Sequence, residues 1–168
     1  MTTVMSKGHK ALARRCMPLD EWPIADRQAW ESAIADGSLL TDAGPAARWR
    51  QGTRDRVVQS YGRFLGYLEH HGILDRNVAP ADRVFHDRVI AYGEQLMKQC
   101  APVTVHGYVL NLERALSVMA PGDDWRWLAG LAARLQARAH PSRDKRRKVV
   151  PAEDLADLGH RLTSSAKP

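Results

Sequence analysis

Two cysteines in 168 residues leave no material for a disulfide framework or a cysteine-built metal centre. Cys16 and Cys100 stand far apart without metal-type spacing, which points to a reduced, cytoplasmic setting. No apolar run approaches the roughly 18 residues that cross a bilayer, so no membrane partner is expected. Arg14 and Arg15 interrupt the N-terminal stretch before a signal-peptide core can form. There is no glycine-rich phosphate loop, and no segment alternates as a strand does. His70-His71 and Asp123-Asp124 lack partners at ligand spacing. They suit a helix C-terminus and a helix N-cap better than a metal. No catalytic residue, metal, cofactor or small-molecule substrate is therefore expected.

What the chain does have is unevenly placed positive charge. Lys and Arg number 25 and Asp and Glu 19, a net charge of +6. The stretch from Arg134 to Lys148 alone carries seven basic residues and one acid, so the rest of the chain is balanced. A field concentrated at one end attracts polyanions, nucleic acid first among them. A solvated tether would look the same in sequence.

The remaining signal is helical periodicity. Residues 1–19 show none and read as a mobile arm. "DEWPIADRQAWESAIADG" carries an apolar face of Trp22, Ala29, Trp30, Ala33 and Ile34, with Pro23 in the first turn. "TRDRVVQSYGRFLGYLEHHG" follows, with Thr53 as the expected N-cap and Gly72 as the stop. Val57, Tyr61, Phe64, Leu65 and Leu68 mark its inner face. A helix over residues 81–99 turns Phe85, Val89, Tyr92 and Leu96 inward. Another over 104–119 opens on Thr104 and buries Val105, Tyr108, Val109, Leu112, Leu116 and Met119. Asp123 or Asp124 caps the next, whose inner stripe is Leu128, Leu131 and Leu135, with Trp125 and Trp127 on different sides. Amphipathic helices joined by short connectors predict an all-α fold, a compact bundle of four to five helices with a basic C-terminal linker.

The polar faces hold the candidate contacts. Arg54, Arg56, Gln59 and Arg63 run along one helix away from the core, and Thr104, His106, Asn111 and Arg114 along another. Such side chains reach phosphates and base edges. With Arg143, Lys145, Arg146, Arg147 and Lys148 they would make one DNA-facing surface, or else ordinary solvated faces.

Several stretches together resemble a known family: "EWPIADRQAWESA", "TRDRVVQSYGRFLGYLEHHGILD", "VTVHGYVLNLERALSVMAPGDDWRWL" and "RDKRRKVVPAEDLADLG". In order and spacing they are similar to the N-terminal core-binding domain of tyrosine recombinases of the phage integrase type. The resemblance runs from about Trp22 to Gly159. One departure is Phe85-His86, where relatives open a helix on Thr-Pro. The resemblance implies a helical domain over 20–141 that grips one side of duplex DNA, and a basic linker over 142–150. It also implies that 151–168 is the first helix of a catalytic domain that does not follow. That domain would bring the arginines and the tyrosine nucleophile, yet no tyrosine follows Tyr108. The expectation is a DNA-binding module that does not cut DNA alone, partnered by double-stranded DNA and by a full-length recombinase or a second copy of itself. The alternative is a helical protein-interaction module or remnant with negligible DNA binding.

Overall fold

In a computed structural model, residues 16–138 and 152–164 are described, and every regular element among them is helical. A 3₁₀ turn at Leu19–Glu21 precedes seven helices: α1 (Ile24–Ile34), α2 (Gln51–His70), α3 (Pro80–Arg83), α4 (His86–Met97), α5 (Pro102–Met119), α6 (Arg126–Arg138) and α7 (Ala152–Ser164). The fold is all-α, as the periodicity predicts. Residues 1–15 of the arm expected over 1–19, and the basic linker expected over 142–150, fall outside the described residues.

Helix α5 is the axis of the bundle, packing against α1, α2, α3, α4 and α6. It can do so because Val105, Val109, Leu112, Ala115, Leu116 and Met119 recur at three- and four-residue spacing and all are buried. Helix α2 meets them with Val57, Tyr61, Phe64, Leu65 and Leu68, each inaccessible to solvent. Tyr92 and Leu96 of α4, Trp30 of α1 and Leu128 of α6 complete the core.

The helix ends show where local chemistry sets the boundaries. Gly72 adopts φ +67, and the Ile73 amide donates to the Leu68 carbonyl at 2.9 Å, the glycine-dependent closure that stops α2. Asp124 accepts the Arg126 amide at 3.0 Å and so opens α6. Its carboxyl sits at about 2, held down by hydrogen bonds from the Arg126 side chain and backbone. Two expected starts move. Helix α2 begins at Gln51 behind Arg50, leaving Thr53 inside the first turn, with its amide on the Arg50 carbonyl. Helix α5 begins at Pro102, whose missing N–H and fixed φ suit the first position, so Thr104 does not cap it.

The expected 81–99 helix is two helices. Val84 and Phe85 are extended between α3 and α4, and Phe85 is exposed with the Arg88 guanidinium 4.3 Å over its ring. The interruption positions Arg83, which lies fully buried. Its Nη2 donates to Asp26 Oδ2 at 2.6 Å and to the Val78 carbonyl at 2.5 Å. Its Nε donates to Asp26 Oδ1 at 3.2 Å, and Nη1 donates to the Asp75 carbonyl. Tyr61 donates its hydroxyl to Asp26 Oδ1 at 2.5 Å. One saturated network thus ties α1, α2 and the 75–83 connection together, with every guanidinium nitrogen used.

The N-terminal boundary also shifts inward. Met17 is fully buried, its amide donates to the Gly62 carbonyl at 2.9 Å, and its carbonyl accepts the Trp22 indole at 3.0 Å. A Cβ on Gly62 would stand 2.3 Å from the Met17 oxygen, so this crossing of chain over helix requires glycine. Residues 16–19 therefore join the bundle rather than the arm.

Candidate nucleic-acid interface

Positions 56, 60 and 63 on α2 and 104, 108, 111 and 114 on α5 each repeat at three or four residues, and so share a face of their helix. The bundle brings the two faces together. The Arg63 guanidinium lies 4.8 Å over the Tyr108 ring, and the Asn111 amide donates to Ser60 Oγ at 3.1 Å. Because 63 meets 108 and 60 meets 111, the helices run antiparallel, which carries Arg56 toward the Arg114 end of the seam. Ser60 in turn donates to the Arg56 carbonyl at 2.7 Å. Arg114 Nη1 reaches Asn111 Oδ1 at 3.5 Å, a long contact that orients more than it binds.

Along this seam Arg56, Gln59 and Arg114 are exposed, while Arg63, Thr104 and Asn111 are half-buried. His106, two residues from both Thr104 and Tyr108, falls on the other flank of α5, half-buried, and so does not join the strip expected of it. None of Arg56, Arg63 and Arg114 is paired with a carboxylate among the described residues. The nearest acids in sequence are engaged elsewhere: Asp55 accepts from Gln51 at 2.7 Å, and Glu113 accepts the Ser117 hydroxyl at 2.9 Å. Three cationic groups therefore converge on one strip without internal neutralisation.

Two residues near the seam behave otherwise than their spacing predicts. Arg54 turns back onto the preceding loop, where Nη2 donates to the Ala47 carbonyl at 2.5 Å and Nε is buried. It closes the connection into α2 and does not belong to the strip, because the loop carbonyl is nearer than solvent. Tyr108, expected inside, is half-buried at the seam as the platform for Arg63. The ring contact holds the guanidinium in place, and its Nε is buried without a hydrogen-bond partner among the described residues, so donation outward falls to the two terminal nitrogens. Arg63 is thus a partly interior charge. Burial pushes the nearby Cys16 thiol up, and the Arg63 charge draws it partly back. Tyr108 and Ser60 are the organisers that periodicity alone did not single out. Tyr108 matches both the inner stripe, through Val105 and Leu112, and the polar face, through Thr104 and Asn111, so it lies at the border of the two and spacing alone does not assign it. Arg143, Lys145, Arg146, Arg147 and Lys148 lie outside the described residues.

The histidine pair does not form a ligand set. His71 Nε2 lies 2.8 Å from Gln95 Oε1, joining the end of α2 to α4. Among the described residues no three His, Cys, Asp or Glu gather as a metal site, and no helix is long and apolar enough to cross a membrane. All four tyrosines of the chain lie in the bundle. Tyr61, Tyr67 and Tyr92 are buried, and burial raises each hydroxyl above its ordinary value. Comparison with protein-family models, curated proteins and solved structures finds no match.

Proposed function

We propose that the chain is a duplex-DNA-binding module, of the kind represented by the core-binding domain of tyrosine recombinases, acting without cutting DNA itself. The observation that carries the reading is the α2–α5 strip, where Arg56, Arg63 and Arg114 face outward or half outward with no paired carboxylate among the described residues. Guanidinium groups donate in a fork that matches phosphate oxygens, and phosphate contacts position a protein on the duplex. Asn111 spends one amide hydrogen on Ser60 and receives Arg114, so its part is to aim Arg114 rather than to read a base. Affinity then comes mainly from charge, with modest sequence preference. The burial of three tyrosines and the ring-stacked position of Tyr108 support binding without a tyrosine nucleophile.

The test is a double variant, Arg56→Ala with Arg114→Ala, in fluorescence anisotropy on a labelled duplex at several salt concentrations. Both side chains are exposed and free of ion pairs among the described residues, so the fold should melt as the wild type does. The slope of log affinity against log salt should become shallower by about 1.8, at roughly 0.9 per lost phosphate contact. An unchanged slope and affinity would remove the strip from the binding surface.

A further inference from the structure

The strip uses one side of α5. On another, α4, α5 and α6 leave an open trough of about 330 Å³. Val89, Gly93, Met97, Val109, Leu131 and Leu135 line it. The sequence predicts Leu131 and Leu135 on the inner stripe of α6, yet only Leu128 is fully covered and the other two are half-buried in this trough. A Cβ at Gly93 would meet nothing within 4 Å, so the floor has room for a side chain from outside. Met97 is 51% exposed at its edge. Arg134 and Arg138 stand on the α6 rim, exposed and with no carboxylate partner among the described residues.

Helix α7 has the matching shape. Leu155, Leu158 and Leu162 repeat at three and four residues and are 56%, 54% and 65% exposed, so one apolar stripe faces outward along the helix. Asp154 and Asp157 flank it, both exposed, with Arg161 one turn further along the same flank. The trough carries an apolar floor and a rim with Arg134 and Arg138 on α6 and Glu94 on α4, net positive, while α7 carries an apolar stripe and a flank of Asp154, Asp157 and Arg161, net negative. In the single chain the trough stands open and the leucines stand bare, so the helix does not fill its own trough. We infer that the leucine stripe of α7 seats in the α4–α5–α6 trough of a second copy of this chain.

Reciprocal exchange would close both troughs around a two-fold axis, so every contact counts twice toward the surface a stable dimer needs. The tether permits it: residues 139–151 number thirteen and span at most about 45 Å when extended. This inference is independent of DNA and does not involve the α2–α5 strip.

A charge-swap experiment on the full chain tests it, with mass read by light scattering after gel filtration and no DNA present. The wild type should be a dimer. Arg134→Glu with Arg138→Glu should raise the dimer dissociation constant by about tenfold or more, as should Asp154→Arg with Asp157→Arg, because each places like charges across the contact. Mixing the two variants pairs an acidic rim with a basic helix and the native rim with the native helix, so a heterodimer should form at wild-type concentrations. Leu158→Ser should give a monomer with unchanged helical circular dichroism. A wild type that stays monomeric at about 200 µM, where even weak specific association is populated, would overturn the proposal. So would a dimer indifferent to the charge and leucine variants, or variants that fail to recover on mixing, the result expected of a helix folded onto its own bundle.

Discussion

Replacing Arg83 with methionine removes the guanidinium while keeping most of the stem. Four hydrogen bonds disappear, two to the Asp26 carboxylate and two to the carbonyls of Val78 and Asp75. Asp26 is fully buried and would keep the Tyr61 hydroxyl at 2.5 Å and its own backbone amide, with no cation beside it. Breaking a buried pair by removing one member costs about 3–5 kcal/mol, and the two stranded carbonyls together add about 1 kcal/mol. The expected loss of about 4–6 kcal/mol is a large part of the roughly 5–15 kcal/mol that holds a domain together. In urea, at about 2 kcal/mol per molar, the midpoint should fall by about 2–3 M. The pH dependence has a definite sign. Burial raises the Asp26 carboxyl above 3.8, while Tyr61 and Arg83 pull it back. Without Arg83 the rise is larger, so the folded state holds a proton that the unfolded chain releases. Stability from this group is then present below 3.8 and lost as pH rises through the raised value. The variant's deficit should therefore be smallest in acid and grow toward neutrality. Adding Asp26→Leu should recover most of the loss, since an apolar replacement of the whole pair leaves no buried charge. A loss below about 1 kcal/mol for Arg83→Met at neutral pH, measured by urea unfolding, would refute the argument.

The Tyr92 hydroxyl is buried with no hydrogen-bond partner among the described residues, so Tyr92→Phe should stabilise the bundle by about 1 kcal/mol and raise its melting temperature by a few degrees. Gly62 and Gly107 should respond in opposite directions to alanine, read by the same urea unfolding. At Gly62 a Cβ would lie 2.3 Å from the Met17 oxygen, and the variant should lose about 2 kcal/mol or more. At Gly107 nothing lies within 4 Å of that position, and alanine should add about 0.5–1 kcal/mol through helix propensity.

The buried faces were legible because each is a local repeat. Val57, Tyr61, Phe64, Leu65 and Leu68 announce the inner side of α2 without reference to anything else in the chain, and Gly72 announces its end. The helix starts at Gln51 and Pro102 were less legible, since neither is opened by a side-chain cap and Thr53 and Thr104 are the better cap formers by type. The Asp26–Arg83 pair was invisible for a different reason. Its members stand 57 residues apart, each looks like a surface charge in its own helix, and only the bundle makes them partners. Arg54 shows the converse. It has the spacing of the exposed arginines, but a loop carbonyl lies within reach of its side chain. The seam itself was half legible: periodicity marks both polar faces, while the antiparallel contact of Arg63 with Tyr108 and of Ser60 with Asn111 depends on how α2 and α5 cross.

The most direct measurement is the binding of the wild-type chain to a labelled duplex of about 30 base pairs, by anisotropy, from low to physiological salt. Phosphate contacts from Arg56, Arg63 and Arg114 alone predict a slope of log affinity against log salt near about −2.7, at roughly −0.9 per contact. Adding Arg143, Lys145, Arg146, Arg147 and Lys148 steepens it toward about −7. A slope within that range would support a charged strip lying along the duplex. Absence of binding at low salt, or binding indifferent to salt, would contradict it.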